Sequence, residues 1–302
     1  MLKNLEHFVQ VLKIEKNHSS NTIDSYLLDI KSFEKYLKKR KISFKSTVND
    51  SKVVKKYFRY LSRSKISPSS IKRKFSSLSS YFSYLIDSKT IKKNPLNGIY
   101  TPKLKKKLPT VLSVHEIKQI FKQSENTDNE LLGLRDRCII ELLYSCGLRV
   151  SELCELKVNN IQFDANVIRF FGKGNKERII PLTFYAKEWL EKYLYQSRQI
   201  LSNRKLSDSK YVFLSNNGKR LTRAAIWQSI KKYVNAAGIT KTVSPHTFRH
   251  SFATHLVDGG ANLVEIQKLL GHSDISTTEI YVHLSKEFID SEYMKAFDKK
   301  KN

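Results

Sequence analysis

Two long helical patterns in this sequence are separated by a sharp break between residues 92 and 110, where three prolines, one glycine and a run of lysines occur. Proline removes a backbone donor and restricts the residue before it, so a helix cannot continue through such a stretch. At 302 residues the chain is long enough for a separate core on each side of the break. We therefore predict two domains, at residues 1–100 and 111–302, joined by a basic linker at 101–110.

The first domain is predicted to be a bundle of four helices, because its apolar residues recur at helical spacing. Helices are expected at about 3–16, at about 51–63 and from Pro68 onward. Another helix is expected to begin after the cap candidates at 19–22. The many aromatic residues at these spacings are predicted to pack in the core rather than to stack on nucleic-acid bases.

The second domain is predicted to be helical around one small antiparallel sheet, which makes the whole fold mainly α. A capping box at Ser113 and Glu116 predicts a helix start. Strand-like runs at 167–171 and 178–181 flank a Gly- and Asn-containing segment typical of a hairpin turn. Further elements are expected at these positions: helices at 114–123, 134–146, from Ser151, at 183–200 and 222–237, and a short strand at Tyr211–Leu214.

The chain carries a formal net charge of +27, and most of this charge lies before the break. Residues 1–110 contain 26 Lys and Arg against 7 Asp and Glu, a net of +19. A polyanion is the partner that such a balance favours, although a lysine-rich solvated surface is the alternative. The candidate contacts to a DNA backbone are Lys72, Arg73, Lys74, Lys105, Lys106 and Lys107. For the triplet at 72–74 a solvated helix face is an equal alternative.

The sequence also bears on the cellular compartment. No apolar run approaches the roughly 20 residues that span a bilayer, and the N-terminus lacks the core of a signal peptide. Three cysteines, at 138, 146 and 154, lie in apolar helical context without metal-binding spacing. An odd number of such residues favours buried, reduced thiols, so we expect a cytoplasmic, nucleoid-associated protein without membrane contact.

One stretch concentrates the residues that could perform chemistry, from Ser244 to Tyr281. His246 and Arg249 lie three apart at the start of a predicted helix, so they share one face. Ser244 is the predicted cap of this helix, and a proline follows it in the first turn. His272 and Tyr281 come later in the stretch. Imidazoles, a guanidinium and a phenol so close in sequence indicate an anion site beside a nucleophile.

Several enzyme classes do not fit these residues. A metal-dependent nuclease needs clustered carboxylates, whereas those near this stretch are scattered. The glutamate of a zinc-protease HExxH motif is replaced by Thr247, and the G-x-S-x-G motif of serine hydrolases is absent. Phosphoryl transfer by positioned cations and a hydroxyl nucleophile remains. A covalent phosphotyrosine retains much of the energy of the broken phosphodiester, so we expect no metal, ATP or other cofactor.

Five motifs together resemble those of the tyrosine recombinases, in the same order and at familiar intervals. They are GLRVSEL at 147–153, GKGNKER at 172–178, HTFRH at 246–250, LLGH at 269–272 and TTEIY at 277–281. The length and the opening of the chain most resemble the bacterial Xer type. The resemblance covers about residues 5–285, and the motifs are specific jointly rather than singly. Phe248 departs from the leucine more usual there, which exchanges one apolar residue for another.

The resemblance implies a role for each matched residue. Arg149 and Arg249 would clamp the scissile phosphate, and His272 would donate a further hydrogen bond. Lys173 would be the general acid toward the leaving 5′-oxygen. His246 would be the base for Tyr281, the nucleophile that forms a 3′-phosphotyrosine link. Glu152 would orient the site, with a simple surface carboxylate as the alternative. His250 and His255 are expected to be structural.

The resemblance also implies an architecture and partners. An N-terminal core-binding domain of the SAM-like type and a C-terminal catalytic domain would form a C-shaped clamp on double-stranded DNA. Four protomers, as a homo- or hetero-tetramer, would exchange strands on two sites through a Holliday junction. A C-terminal helix with an apolar stripe at Phe288, Ile289, Tyr293 and Phe297 would join the protomers, unless it packs on its own domain.

The biological role implied by the Xer type is the resolution of chromosome dimers at a dif-like site. An integrase or transposase of a phage or mobile element would use the same catalytic residues and stays as the alternative. A type IB topoisomerase and a non-catalytic DNA-binding protein are further alternatives. The sequence leaves open whether a paralogous recombinase and a DNA translocase take part.

Overall fold

The computed structural model describes residues 4–16, 18–64, 66–99, 109–171, 177–204 and 208–262, together with residues 264 and 266. The chain divides into two compact units, Met1–Lys107 and Leu108–Asn302. Most of the described residues are helical, and the strands form one small antiparallel sheet. The predicted mainly α fold class is thereby confirmed.

The described part of the first unit consists of helices. They are α1 (Leu5–Ile14), α2 (Ser20–Lys39), α3 (Phe44–Asn49), α4 (Ser51–Arg63) and α5 (Pro68–Asp87). The predicted caps are present, since the Ser19 hydroxyl accepts a hydrogen bond from the backbone N–H of Thr22 at 3.3 Å. The six-residue α3 was not expected, because a segment this short shows too little periodicity to be recognised.

Aromatic side chains fill the core of the first unit. Phe8, Phe33 and Phe82 are fully buried, and Tyr57 and Tyr81 are 1% and 0% exposed. The ring centroids of Phe33 and Tyr57 lie 4.8 Å apart, within the range in which aromatic rings attract one another. The prediction that these aromatics belong to the core is therefore confirmed.

The second unit is organised around a helix that is buried on nearly all sides, α7 (Glu130–Ser145). Helices α6 (Val114–Glu125), α9 (Phe184–Lys192) and α12 (Pro245–Asp258) pack against it. The remaining helices are α8 (Val150–Glu155), α10 (Gln199–Ser202) and α11 (Arg223–Ala236). A 3-10 helix, Val158–Asn160, follows α8, and a π-helical segment, Tyr193–Arg198, lies between α9 and α10. The predicted capping box at the start of α6 is present.

The sheet consists of β1 (Ile161–Gln162), β2 (Val167–Phe171) and β3 (Glu177–Pro181) in antiparallel order β1-β2-β3. In the register of β2 and β3, Phe170 lies opposite Arg178 and Arg169 lies opposite Ile179. Because side chains alternate between the two faces of a strand, Arg169 and Phe170 point to opposite faces. The two strands of the predicted hairpin are confirmed, while residues 172–176 between them lie outside the described residues.

The strand predicted at Tyr211–Leu214 is wrong. Only two isolated bridges occur there, Lys157 to Tyr211 and Leu214 to Arg220. Side chains occupy the carbonyl groups that a strand would offer to a neighbour. Arg198 donates to the carbonyl oxygens of Tyr211 and Val212, at 2.9 and 3.1 Å from its nearest nitrogens. An apolar run in sequence does not reveal that side chains from elsewhere in the chain will satisfy its backbone.

Two further observations complete the fold. The three cysteines are buried, as expected. In the ranges given above, every helix is too short or too polar to cross a lipid bilayer.

Candidate active site

Arg149 lies in a tight loop between two helices of the second unit. α7 ends at Ser145, α8 begins at Val150, and Arg149 precedes α8 with an extended backbone (φ −76°, ψ 145°). Gly147 has a φ of +60°, a left-handed conformation that glycine adopts at little cost. Leu148, between them in sequence, is fully buried. This buried leucine anchors the loop from which the guanidinium of Arg149 extends.

Glu152, in the first turn of α8, holds Arg149 through both carboxylate oxygens. Oε2 accepts a hydrogen bond from the backbone N–H of Arg149 at 2.7 Å, and Oε1 accepts one from Arg149 Nη1 at 2.8 Å. The first contact satisfies an N–H group that a helix start leaves without a helical partner. The second orients the guanidinium, and the Arg149 side chain remains 35% exposed. Glu152 therefore orients an arginine that solvent, or a ligand, can reach.

A third residue, Arg178 on β3, joins this pair. Its Nη1 donates to Oε1 of Glu152 at 2.5 Å, the same oxygen that Arg149 Nη1 contacts. The side chains of Arg178 and Glu152 are each 15% exposed. Arg178 falls on a predicted strand, without a predicted role. The available signal was a charged residue in an otherwise apolar strand, Arg-Ile-Ile-Pro, which marks a position whose side chain needs a partner.

α12 brings another arginine to the loop before α8. The helix begins after Ser244, whose backbone N–H donates to Thr247 Oγ1 at 3.0 Å, so the predicted helix start is confirmed. Arg249, one turn into α12, is only 8% exposed. Its Nη1 donates to the carbonyl oxygen of Gly147. Two arginines that are far apart in sequence thus meet at one loop.

The charge of this cluster is unbalanced. Burial, together with the positive charges of Arg149 and Arg178, lowers the pKa of Arg249 to about 10, while the carboxylate of Glu152 acts in the opposite direction. Arg249 remains protonated at neutral pH, since its pKa still lies well above 7. In this partly buried place the guanidinium groups of Arg149, Arg178 and Arg249 thus lie around the carboxylate of Glu152. Such an arrangement favours an anion with several acceptor oxygens.

The other predicted catalytic residues are distributed as follows. His246 is exposed in the first turn of α12, one helical turn before Arg249. Lys173, His272 and Tyr281 lie outside the described residues. Within the described part of the second unit and of the first, no three His, Cys, Asp or Glu side chains are grouped as metal ligands.

The basic candidates of the first unit differ from one another in their surroundings. Asp29, 1% exposed, accepts hydrogen bonds from Arg73 Nη1 at 2.6 Å and from Lys74 Nζ at 3.0 Å. For residues 72–74 the sequence predicted either a DNA contact or a solvated helix face, and neither includes such an internal partner. Lys72 is exposed. The linker candidates Lys105, Lys106 and Lys107 lie outside the described residues.

Comparison with known proteins agrees with the motifs in the sequence. The model of the phage integrase family matches residues 110–287, and the model of the N-terminal SAM-like domain of phage integrases matches residues 5–89. Tyrosine recombinase XerD of Staphylococcus haemolyticus is 40% identical over 289 residues, covering 96% of each chain. The XerD of Staphylococcus aureus gives the same identity and coverage.

Solved structures have the same fold. A crystal structure of the site-specific recombinase XerH, bound to difH substrate in a pre-cleavage complex, is 25% identical, with a TM-score of 0.67. That alignment covers 93% of this chain and 82% of the other. A lambda integrase dimer bound to a core site shares the fold at 21% identity and a TM-score of 0.66, over 91% and 97% of the two chains. The motifs, the family models and the relatives agree: the chain belongs to the phage integrase family and is a site-specific tyrosine recombinase of the Xer type.

Proposed function

We propose that this recombinase cleaves and rejoins double-stranded DNA at a dif-like site of the chromosome and thereby resolves chromosome dimers. The observation that carries the proposed chemistry is the meeting of Arg149 and Arg249 at one loop, with more positive charge than Glu152 balances. The 40% identity to proteins named XerD, over nearly the whole chain, supports the chromosomal role. The similarity to XerH, which was solved with difH substrate, supports a target of the dif type.

The proposed reaction is a transesterification at phosphorus. The phenol oxygen of Tyr281 attacks the scissile phosphate and forms a bond to phosphorus, while the bond from phosphorus to the 5′-oxygen breaks. His246 takes the proton of the phenol, and Lys173 gives a proton to the leaving 5′-oxygen. The product is a 3′-phosphotyrosine and a free 5′-hydroxyl. The reverse reaction with a 5′-hydroxyl of another duplex rejoins the strands and leads through a Holliday junction.

The arginines act on the charge that develops at phosphorus. Arginine offers paired N–H donors in a planar fork that matches two phosphate oxygens. Arg149 and Arg249 would each hold non-bridging oxygens, and His272 would add a hydrogen bond. Because Glu152 orients Arg149 before DNA arrives, less reorganisation is needed when the phosphate binds. This arrangement requires neither a metal ion nor ATP, so cleavage is expected to continue in EDTA.

The domains and partners complete the proposal. Residues 1–100 would bind the core of the recombination site, 101–110 would be a basic linker along the DNA backbone, and 111–302 would be the catalytic domain. The matches of two separate domain models to residues 5–89 and 110–287 support this division. A homo- or hetero-tetramer on two sites would carry out the exchange, with a paralogous recombinase and a DNA translocase as the further partners to be tested.

A nicked suicide duplex tests the chemistry. The nick lies on the cleaved strand close to the scissile phosphate, so cleavage releases a short fragment that carries the 5′-hydroxyl. The covalent complex then cannot be reversed and accumulates as a band of lower mobility on a denaturing gel. The wild type is expected to form this adduct, and Tyr281→Phe is expected to form none. An adduct formed by Tyr281→Phe would contradict the assignment of the nucleophile, and loss of the wild-type adduct in EDTA would contradict the metal-free mechanism.

The chromosomal role is tested by finding where the enzyme acts in cells. Covalent complexes isolated from the host and sequenced should map to one site in the terminus region of the chromosome. Deletion of the gene should then produce chains of unseparated chromosomes. Complexes that map to the ends of a mobile element would favour the integrase or transposase alternative, with the same chemistry.

A further inference from the structure

Glu152 is shared by two arginines on different elements. Its Oε1 accepts from Arg149 Nη1 at 2.8 Å and from Arg178 Nη1 at 2.5 Å, while its Oε2 accepts from the Arg149 backbone at 2.7 Å. Arg178 is less exposed than Arg149, at 15% against 35%. The carboxylate is therefore held from its buried side by Arg178 and holds Arg149 on the more open side.

This arrangement affects how strongly Arg149 can attract a phosphate. A carboxylate paired with Arg149 alone would cancel most of the positive charge that the phosphate needs. With Arg178 on the same oxygen, one negative charge is divided between two guanidinium groups. Electrostatic interactions are stronger where water is largely excluded, so this division matters more at 15% exposure than it would in open solvent.

Arg178 also links two parts of the chain that carry proposed catalytic residues. It is the second residue of β3, and it lies opposite Phe170 in the register with β2. Lys173 precedes it by five residues in the sequence. The Glu152–Arg178 ion pair thus joins the helix that follows Arg149 to the strand that leaves the segment containing Lys173.

We propose that Arg178 is a positioning residue for DNA cleavage, which acts through Glu152 to orient Arg149 and to keep its charge available to the scissile phosphate. The proposal rests on the function proposed above. Arg178 lies outside the six catalytic residues and Glu152, and its role depends on another side chain rather than on contact with DNA.

Two other roles are possible for such an arginine, and each predicts a different result. A purely structural residue would lower the stability of the fold and would lower binding and cleavage together. An arginine that contacts the phosphate itself would contribute independently of Glu152. A positioning residue lowers the rate of cleavage within the bound complex, and its effect depends on the presence of the carboxylate.

The test is a double-mutant cycle with Arg178→Gln and Glu152→Gln, measured on the nicked suicide duplex with enzyme in excess. Single-turnover cleavage, DNA affinity and melting temperature are measured for each variant. Arg178→Gln is expected to slow cleavage about 10- to 100-fold, as expected for a small misplacement of a reacting group. Its DNA affinity should change by no more than about threefold, because a residue outside the DNA contacts leaves the phosphate contacts that dominate affinity intact.

The decisive result is the behaviour in the Glu152→Gln background. There, Arg178→Gln should slow cleavage by no more than about twofold further, because its route to Arg149 is already lost. Full additivity of the two effects would overturn the proposal in favour of direct contact. Arg178→Lys keeps the charge and should recover part of the cleavage rate. If Arg178→Gln folds poorly, Arg178→Lys takes its place in the double-mutant cycle.

Arg169 offers a matched control on the same sheet. It is also an ion-paired arginine, which contacts Glu177 at 2.7 Å and Gln162 at 2.8 Å. Arg169 lies on β2 opposite Ile179, so its side chain and that of Arg178 point to opposite faces of the sheet. Arg169→Gln should leave single-turnover cleavage near that of the wild type. Equal slowing by Arg169→Gln and Arg178→Gln would reduce both to a general effect on the sheet and overturn the proposal. A wild type that forms no adduct would instead refute the proposed function itself.

Discussion

Arg249 donates a hydrogen bond from Nη1 to the carbonyl oxygen of Gly147, and this contact fastens α12 to the loop that carries Arg149. The acceptor lies only two residues before Arg149, so the positions of the two arginines depend on one another. Gly147 can present its carbonyl group in this way because its φ is +60°. The geometry of the phosphate clamp therefore depends on a backbone conformation as well as on side chains.

Replacement of Gly147 by alanine should disturb the clamp. A Cβ atom disfavours the left-handed conformation, at a cost of about 1 to 2 kcal/mol, and the loop can relieve this strain by turning the carbonyl group away from Arg249. We expect Gly147→Ala to lower the free energy of unfolding by that amount and to slow cleavage more than binding. Asparagine tolerates positive φ better, so Gly147→Asn is the matched control and should retain more activity. Equal losses in the two variants would show that the φ angle is not the cause.

The sequence predicted the parts of this site that are determined locally. The start of α6 follows from the capping box of Ser113 and Glu116. The start of α12 follows from Ser244 and the proline after it, although the bond from the Ser244 N–H to Thr247 was not predicted. The junction that carries Arg149 follows likewise from one glycine between two apolar helical runs. Short-range hydrogen bonds of this kind are independent of the rest of the fold, and a single sequence therefore reveals them.

Contacts over long separations were not predicted. Arg178 and Glu152 are 26 residues apart, and their contact depends on how the sheet packs beside α8. Arg73 and Asp29 are 44 residues apart and meet because α2 packs against α5. No local pattern encodes either pair. Arg249 was identified from its spacing to His246, whereas Arg149 and Glu152 were identified through the joint resemblance of several motifs. The catalytic roles of all three remain predictions.

The unbalanced charge around Arg249 predicts that a small oxyanion stabilises the protein. Burial and the nearby charges of Arg149 and Arg178 lower the pKa of Arg249 to about 10, which means that its charged form, although still present at neutral pH, is less stable there than in water. Sulfate at ten times its dissociation constant should raise the free energy of unfolding by about 1.4 kcal/mol. Thermal denaturation in sulfate, compared with chloride at equal ionic strength, measures this effect.

Sulfate also stabilises proteins in general, by exclusion from their surfaces, so a variant must separate the two effects. Arg249→Gln should keep the stabilisation that comes from exclusion of sulfate and should lose the stabilisation that comes from its binding at the cluster. Arg169→Gln, which removes the same charge from the opposite face of the sheet, should keep it. If sulfate raises the melting temperature of all three proteins equally, the cluster does not bind an oxyanion.

A hydrogen bond between α7 and α12 predicts a loss of stability in mild acid. The Tyr144 hydroxyl and Nδ1 of His255 lie 2.9 Å apart, which supports the expected structural role of this histidine. Burial lowers the pKa of His255 below its ordinary value of 6.5, while Asp258 and a hydrogen bond to Leu112 act in the opposite direction. The folded protein therefore holds His255 neutral at pH values where the unfolded chain protonates it.

The sign of the effect follows from this difference. Below about pH 6.5 the unfolded state binds the extra proton, so the stability that His255 contributes is present above that pH and is lost as the pH falls through the lowered pKa. One such proton changes the free energy of unfolding by at most about 1.4 kcal/mol per pH unit. Urea denaturation between pH 5 and pH 8 should therefore show that the free energy of unfolding depends less steeply on pH in His255→Gln than in the wild type. His115, exposed on α6, is the control, and His115→Gln should retain the wild-type dependence.

The buried carboxylate of Asp29 predicts that neighbouring basic residues of α5 have different functions. Asp29 accepts hydrogen bonds from Arg73, Lys74 and the Ser77 hydroxyl, at 2.6, 3.0 and 2.8 Å. Removal of one partner from a buried ion pair costs about 3 to 5 kcal/mol, and less where the partner can return to water. Since Arg73 is 44% exposed, we expect Asp29→Asn to cost about 2 to 4 kcal/mol. Hydrogen exchange of α2 and α5 amides in the full chain measures this local loss.

Lys72 should behave in the opposite way, because it is exposed beside this network. Lys72→Ala should leave the exchange rates of α2 and α5 unchanged, since surface substitutions alter stability by no more than about 0.5 kcal/mol. If Lys72 contacts a DNA phosphate, the substitution should reduce the slope of log affinity against log salt by about 1. Lys74→Ala should mainly increase exchange, because it leaves the buried Asp29 with one cation fewer. The opposite result would be an unchanged salt slope in Lys72→Ala and a reduced slope in Lys74→Ala, with exchange rates like those of the wild type. That result would reverse this assignment and place the DNA contact on Lys74.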